Sequence, residues 1–194
     1  SALSFSLANK GISSSIWHRN HNVVKSMAES RIHYLISSLV LPSNIIFVSD
    51  INLSIKNADI IIIAIPSQAI RKFLLKNKKY FSKNKIIVNV SKGIENDSLM
   101  TMSQVIKDVL GKDYNKIVTL SGPSHAEELI KLNPTTLVSA SFDKKSARKI
   151  QSIFSSEIIR TYYNKDILGV ELGGSIKNII AIASGICDGI GYGD

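Results

Sequence analysis

The chain has 194 residues, 44% hydrophobic and 20% charged, a composition typical of a globular protein with one domain, or one domain and the start of another. Its longest uninterrupted apolar run, residues 60–65, is too short to cross a bilayer, so we expect no stable membrane insertion. The net charge of +9 suggests a nucleic-acid partner, but the lysines are scattered without interleaved aromatic residues, which favours a solvated basic surface, so we expect no nucleic-acid partner.

Helix and strand patterns alternate along the chain. A helix is predicted over residues 2–8 and ends at Asn9-Lys10-Gly11. The predicted strands are residues 12–17, 44–49, 59–65, 85–90, 116–120, 135–140 and 158–162. The further predicted helices are residues 23–39, 68–76 and 99–110, a short helix that begins at Ser124, and residues 144–154.

Strands separated by helices predict right-handed crossovers and a doubly wound, mostly parallel α/β sheet of the Rossmann type. The run over residues 59–65 predicts a central strand that is buried on both faces. After Tyr163 the pattern changes to one long, mostly apolar helix over residues 166–190. We therefore predict a doubly wound domain over residues 1–163 and the first helix of an all-helical domain over residues 164–194.

The single cysteine, Cys187, excludes an internal disulfide framework and predicts a cytoplasmic location. It lies in an apolar stretch, which favours a packing role over a nucleophilic one.

Ligands of a doubly wound sheet bind beyond the carboxyl ends of its strands. The strand over residues 12–17 is followed by His18-Arg19-Asn20. In a dinucleotide-binding fold, an acidic residue at the end of the second strand binds the ribose 2′-hydroxyl, whereas an arginine accommodates a 2′-phosphate. Arg19 stands at that position if the opening helix is the one that follows the glycine-rich turn, although an ordinary surface arginine explains it equally well. The Gly-x-Gly-x-x-Gly fingerprint itself is absent.

The strand over residues 85–90 runs into Ser91-Lys92-Gly93. A lysine at the tip of a buried parallel strand points into the ligand crevice, and the following glycine allows a close approach. A solvated loop lysine is the alternative interpretation.

The strand over residues 116–120 runs into a predicted helix N-terminus, where free backbone N–H groups can bind an anion or a polar substrate. Pro123 and Ser124 open this helix, and simple capping explains Ser124 almost as well. His125 is a candidate general base, but histidines in a first helical turn more often pack or cap.

Lys177 and Asn178 interrupt an otherwise apolar helix, one turn after Gly173 and Gly174. We expect apolar neighbours to bury Lys177, and a desolvated lysine has a lowered pKa that suits proton transfer near neutrality. The two glycines remove side-chain bulk, so that a ligand can come close. A lysine that snorkels from the helix face is the alternative.

Together these segments resemble the NAD(P)-dependent glycerol-3-phosphate dehydrogenase family, and the resemblance covers essentially the whole chain. In chain order the matching segments are SALSFSLA, IWHRN, ADIIIIAIPSQAIR, VSKGIE, LSGPSHAEEL, NPTTLVSAS and GVELGGSIKNIIAIASGICDGIGYGD. The family reduces dihydroxyacetone phosphate to sn-glycerol 3-phosphate, the backbone of phospholipids. The resemblance implies a dinucleotide-binding domain, a phosphorylated triose as substrate and NADP or NAD as cofactor, with Arg19 favouring NADPH; it implies no metal and allows a homodimer.

The resemblance also assigns roles to single residues. It makes Lys177 the acid/base that protonates the carbonyl oxygen of the substrate. The other residues that it places at the substrate are Lys92, Gly122, Ser124 and Asn178. The residues that it places at the cofactor are Arg19, Asn20, Pro66, Lys92 and Ala126.

Two parts of the family pattern are missing from the sequence: the phosphate-binding loop at the start, and nearly all of the helical domain that completes the substrate site. We therefore expect a fragment of a longer gene product, inactive when isolated. A 6-phosphogluconate or 3-hydroxyisobutyrate dehydrogenase is the nearest alternative, but such a lysine would be followed by asparagine four positions on, where this chain has Ala181. A ketopantoate-type reductase, a non-catalytic nucleotide-binding module and a nucleic-acid binder fit the crevice residues less well.

Overall fold

A computed structural model describes residues 1–123 and 126–192, apart from the side chain of Glu127. In this part of the chain the strands are β1 (Ser14–Trp17), β2 (Ile45–Val48), β3 (Ile60–Ile63), β4 (Ile86–Asn89), β5 (Ile117–Ser121), β6 (Thr135–Ala140) and β7 (Ile159–Asn164). The α-helices are α1 (Ala2–Ala8), α2 (His21–Ser30), α3 (Ile51–Lys56), α4 (Ile70–Asn77), α5 (Met102–Leu110), α6 (Ala126–Ile130), α7 (Lys144–Phe154) and α8 (Ile167–Gly189). Short 3₁₀ turns at Ser67–Ala69 and Lys78–Tyr80 flank α4.

The strands form two hydrogen-bonded groups. β1 pairs in parallel with β2, and the other five strands lie in the order β3-β4-β5-β6-β7. Every neighbouring pair in the larger group is parallel except β5 and β6, which run antiparallel. Helices connect the parallel neighbours β3, β4 and β5, so the predicted doubly wound, mostly parallel α/β fold is confirmed.

Helices cover both faces of the larger sheet. Buried apolar residues of α1, α6 and α7 pack with β4, β5 and β6 on one face, and buried residues of α4 and α5 pack on the other. The buried side chains include Val88, Leu120, Ile150 and Phe154 on the first face, and Ile70, Leu74, Val105 and Ile106 on the second. Burial of each such side chain contributes about 1.5–3 kcal/mol, so the carboxyl ends of the central strands rest on a rigid scaffold.

The strand predicted over residues 59–65 is present as β3, but the prediction that it is buried on both faces is wrong for most of its length. Ile63 is buried, but the first three residues of β3 are only half-buried. β3 pairs only with β4 among the described residues, and its other edge is not paired with a strand there. The residues of β4 are all buried, because that strand has a neighbour on each side.

The predicted helix over residues 23–39 is too long, because α2 ends at Ser30. Arg31 takes a left-handed conformation with φ 58°, which stops the helix. Its guanidinium then donates hydrogen bonds to the carbonyls of Leu41 and Ile45, both at 3.0 Å, and to that of Pro42. These bonds hold the following segment as a compact loop instead of further helical turns.

Two other helices differ from the prediction. α3 was not predicted, and it begins after Asp50, whose carboxylate accepts the N–H of Asn52 at 2.8 Å as an N-cap. The helix predicted over residues 99–110 begins only at Met102, because Leu99 has a φ of 54° and Thr101 is the N-cap.

The long terminal helix is present as α8, and Asp166 caps it by accepting the N–H of Gly169 at 2.8 Å. Its first turns pack against β5 and β6, whereas most of its later residues are exposed. In the described part of the chain, α8 is the one helix whose length and composition would allow it to span a membrane, a test that core helices of soluble proteins also pass. The division of the chain at residue 163 into two domains stays a prediction.

Candidate active site

The carboxyl ends of β4 and β5 and the first half of α8 enclose an open crevice. Its polar lining consists of Ser91, Lys92, Thr119, Ser121, Glu171 and Ser175. This is the edge of the sheet where a doubly wound fold binds its ligands, and it contains the predicted site residue Lys92.

Lys92 lies at the centre of the predicted residues that the structure brings together. Its ammonium donates a hydrogen bond to the carbonyl of Gly122 at 3.2 Å. Lys92 is exposed as a residue, but partial desolvation of its ammonium, and secondly its repulsion by Lys177, lower the pKa of Lys92 below the ordinary lysine value. The Lys92 ammonium and the Gly122 carbonyl therefore lie together beside the crevice, with the charge of Lys177 near enough to act on Lys92, an arrangement suited to an anionic or strongly polar ligand.

The segment that carries Lys92 is tied to the end of β3. The hydroxyl of Ser91 donates to the carbonyl of Ile65 at 2.6 Å. Gln68 donates to the carbonyl of Ile94 at 2.8 Å and accepts the N–H of Asn96 at 3.1 Å. Pro66, predicted to border the cofactor groove, is exposed between these two contacts.

A bidentate ion pair holds the same segment against α4. Arg71 donates to both carboxylate oxygens of Glu95, with Nε–Oε1 and Nη2–Oε2 distances of 2.9 Å. Its Nη1 atom also donates to Asp108 at 2.5 Å. The hydrogen bond from Arg71, and secondly one from Ser98, hold the pKa of Glu95 below its usual range.

Two glycines at the strand ends are required by the backbone. Gly93 has a φ of 134°, and a Cβ atom there would lie 2.6 Å from the Ser67 hydroxyl oxygen. A Cβ atom on Gly122 would overlap the carbonyl oxygen of Thr136 and lie 3.2 Å from the Cα atom of Leu137. The close packing of β5 against β6 therefore requires a glycine at position 122. The contact of Gly122 with substrate stays a prediction.

A buried carboxylate connects α8 to the rest of the crevice. Glu171 is only 5% exposed. One of its oxygens accepts the backbone N–H of Ser103 at 2.9 Å and the Thr119 hydroxyl at 2.8 Å. The other accepts the Ser103 hydroxyl at 2.6 Å. The carboxylate thereby occupies the N-terminal turn of α5, where the helix dipole also favours a negative charge.

The expectation that apolar neighbours bury Lys177 is wrong for the described chain, in which Lys177 and Asn178 are both exposed. The neighbouring Ile179 and Ile180 are 67% and 61% exposed. The physical reason is that α8 contacts the sheet only through its first turns. Gly174, where a Cβ atom would lie 3.0 Å from the Ser121 hydroxyl oxygen, is one of the last residues in this contact.

The other predicted cofactor residues lie outside the crevice lining. Arg19 is exposed just beyond β1, and Asn20 is the N-cap of α2, accepting the N–H of Asn22 at 2.9 Å. Ala126 is the exposed first residue of α6. Ser124 and His125 lie outside the described residues.

The sequence interpretation missed Glu171 and Ser175, which the structure places in the crevice. The signal was available, because Glu171 interrupts the apolar helix pattern as Lys177 does and precedes Ser175 by one helical turn. The partners of Glu171 could not be identified, because Ser103 and Thr119 are distant in sequence and give no pattern of their own.

Comparisons with known proteins identify the family of the chain. Residues 1–147 match the family model described as NAD-dependent glycerol-3-phosphate dehydrogenase N-terminus, and residues 166–194 match the C-terminus model of the same family. Proteins named glycerol-3-phosphate dehydrogenase (NAD(P)+) from Clostridium perfringens and Carboxydothermus hydrogenoformans are 43% and 44% identical over 194 and 195 residues. Both alignments cover 100% of this chain and 58% of the relative, so the chain spans a little over half the length of these relatives.

Solved structures show the same likeness. Glycerol-3-phosphate dehydrogenase from Coxiella burnetii superposes with a TM-score of 0.87 at 28% identity, over 100% of this chain and 59% of that chain. The glycerol-3-phosphate dehydrogenase of Plasmodium falciparum superposes with a TM-score of 0.87 at 24% identity, over 98% of this chain and 56% of that chain, which shows a shared fold.

Proposed function

The chain belongs to the NAD-dependent glycerol-3-phosphate dehydrogenase family, and from this premise we propose that its gene product interconverts dihydroxyacetone phosphate and sn-glycerol 3-phosphate with NADPH or NADH. The observation that carries the proposal is the Lys92 ammonium at the strand-end crevice, which donates to the Gly122 carbonyl and lies near enough to Lys177 to be repelled by it. Positive charge at this edge of the sheet suits a phosphorylated substrate that gains negative charge on oxygen during reduction.

The residues present fit a nicotinamide dinucleotide. Arg19 is exposed just beyond β1, and Pro66 is exposed beyond β3. Gly93 supplies backbone with no side chain beside Ser67. The dinucleotide, when bound, supplies or accepts the hydride of the reaction. In a dinucleotide-binding fold, an arginine beyond the second strand suits a 2′-phosphate. We propose that β1 is that strand in the full-length gene product, so that Arg19 gives a preference for NADPH.

The roles of the chain's own residues follow from the charge changes at the substrate. Lys177 holds a proton and gives it to the carbonyl oxygen as that oxygen becomes an alkoxide. Lys92 stabilises the same developing charge from the edge of the crevice, where its ammonium is held by the Gly122 carbonyl. Asn178, adjacent to Lys177 on α8, orients the substrate. Gly122 and Ser124 complete the proposed substrate site, and Ala126 faces the cofactor.

A substrate panel tests this proposal. The gene product that carries this chain, purified at its full length, is assayed with NADPH and NADH against dihydroxyacetone phosphate. In the reverse direction it is assayed with NADP⁺ and NAD⁺ against glycerol 3-phosphate, 6-phosphogluconate and 3-hydroxyisobutyrate. We expect turnover only with the triose phosphate pair, and faster turnover with NADPH. Turnover of either hydroxy acid in preference to glycerol 3-phosphate would contradict the proposal.

The 194-residue chain serves as the matched comparison in that assay. We propose that it is inactive alone, because its Lys177 is exposed to water and a general acid works best where water is excluded. Reduction of dihydroxyacetone phosphate by the purified chain would overturn this part of the proposal. A cytoplasmic location, a homodimeric state and the lack of stable membrane insertion stay predictions from the sequence.

A further inference from the structure

The hydroxyl of Ser175 links the two segments that carry the lysines of the crevice. It donates a hydrogen bond to the carbonyl of Glu171 at 2.8 Å, one turn earlier in α8. It also accepts the backbone N–H of Gly93 at 3.1 Å, across 82 residues of sequence. Gly93 follows Lys92 directly, and Lys177 comes two residues after Ser175.

This link lies where α8 comes closest to the sheet edge. The buried carboxylate of Glu171 anchors the preceding turn to α5 and β5. A Cβ atom at Gly174 would lie 3.8 Å from Cγ of Lys92, so the helix backbone runs directly beside the Lys92 side chain. The bond between Ser175 and Gly93 is therefore the last hydrogen bond from α8 to the sheet side before Lys177 among the described residues.

The hydrogen bond between Gly93 and Ser175 also acts against the repulsion between the two lysines. The like charges of Lys92 and Lys177 repel, and exposed lysine side chains have many rotamers, so the ammonium groups themselves do not hold the two segments at a fixed separation. The hydrogen bond from the Gly93 N–H to the Ser175 hydroxyl restrains the separation of these segments without occupying either ammonium. Reaction rates depend steeply on such placement, because small errors in the positions of reacting groups lower the rate.

We propose that Ser175 is a positioning residue that fixes the Lys177 segment of α8 against the Lys92 segment. The proposal rests on the proposed function, in which both lysines act on one substrate. Ser175 itself makes no contact with the reacting atoms. Its effect is on geometry, so its loss lowers the rate of the chemical step more than it weakens the binding of the cofactor.

The test compares three variants in the full-length gene product. Ser175→Ala removes the hydroxyl, and Ser175→Thr retains it on a slightly larger side chain. Ser30→Ala is the matched control. The Ser30 hydroxyl also donates to a carbonyl one turn earlier, that of Ser26 at 2.8 Å, and accepts a backbone N–H, that of Ile32 at 3.2 Å, but both partners are local.

Three measurements are made on each variant. Hydrogen exchange of the peptide over residues 91–95 reports the bond to Gly93 directly, whether or not the protein turns over triose phosphate. Steady-state kinetics with dihydroxyacetone phosphate and NADPH separate kcat from the KM of each substrate. Thermal unfolding of each variant shows whether the overall fold is retained.

We expect Ser175→Ala to speed exchange of the 91–95 peptide about tenfold and to lower kcat about tenfold, with the KM for NADPH within about twofold of wild type. Ser175→Thr returns both quantities to within about threefold of wild type, and Ser30→Ala changes neither. Unchanged exchange in Ser175→Ala overturns the proposal. Faster exchange with unchanged kcat also overturns it, since the bond would then have only a structural role. A wild-type protein that exchanges as expected but does not reduce triose phosphate refutes the proposed function instead.

Discussion

The two lysines of the crevice are held in different ways. The Lys92 segment is fixed on several sides, by Ser91 to β3, by Gln68 to two backbone groups and by Arg71 through Glu95. Within the described residues, the Lys177 segment is fixed from one side, through Glu171 and Ser175 in the preceding turns of α8.

This difference shows which part of the site the doubly wound domain builds by itself. The Lys92 segment is positioned by contacts within the sheet and its helices, so the described chain is sufficient for it. Lys177 lies just beyond the last contact of α8 with the sheet, and the apolar residues that follow it are exposed. The position of Lys177 therefore depends on a few polar bonds. Substitutions that remove these bonds, or the ion pair that holds the Lys92 segment, test the difference between the two segments.

The largest expected effect is that of removing the Glu171 carboxylate. Glu171→Ala leaves the Ser103 N–H and two hydroxyls without their charged acceptor, and we expect a loss of about 4 kcal/mol in the free energy of unfolding. Urea unfolding of the purified 194-residue chain measures this. Glu171→Gln is the control, since an amide retains the size and can pair with the same groups, and it should lose about 1 kcal/mol. A loss below 1 kcal/mol for the alanine variant would mean that Glu171 is not the anchor of α8.

A matched pair of isoleucines compares the two halves of α8. Ile167 is 2% exposed and Ile182 is 64% exposed, on the same helix. Ile167→Ala should destabilise the 194-residue chain by about 3 kcal/mol because it leaves a cavity, and Ile182→Ala by less than about 0.5 kcal/mol. Both are measured by urea unfolding. Equal effects would show that the second half of α8 is buried in solution.

A smaller effect is expected at the Lys92 segment. Glu95→Gln removes the charge that pairs with Arg71, and we expect a loss of about 1.5 kcal/mol at pH 7. Because the folded state lowers the pKa of Glu95, this stabilisation is fully present above the ordinary value of 4.5 and is lost as the pH falls through the lowered value. Urea unfolding of wild type and variant from pH 7 to pH 2.5 should show their difference shrink in acid. A difference that is constant over this range would contradict the assignment.

The sequence predicted the order of the elements well because apolar runs and helical periodicity are local signals. The end of α2 could not be predicted in this way, since the residues after Arg31 are held by its guanidinium bonds to carbonyls ten and more positions later. The split between β1–β2 and the larger sheet could not be predicted either, because pairing between strands leaves no local pattern.

The candidate site was predictable in part for the same reason. Lys92 and Gly93 follow a strongly apolar strand, so their place at the sheet edge could be inferred from the sequence. The burial expected for Lys177 was inferred from its neighbours in the helix, but burial depends on what packs against a helix, and the described chain covers only the first turns of α8. The bonds from Ser103 and Thr119 to Glu171, and from Gly93 to Ser175, join segments that only the fold brings together.

The most direct test of the account is the kinetics of Lys177→Ala in the full-length gene product, with Lys131→Ala as a control for the loss of an exposed lysine elsewhere, in the turn after α6. If Lys177 donates the proton to the carbonyl oxygen, kcat for dihydroxyacetone phosphate should fall by about 10² to 10⁴, with the Kd of NADPH within about twofold of wild type and Lys131→Ala unchanged. A kcat within tenfold of wild type for Lys177→Ala would contradict the central claim that this lysine carries the chemistry of the site.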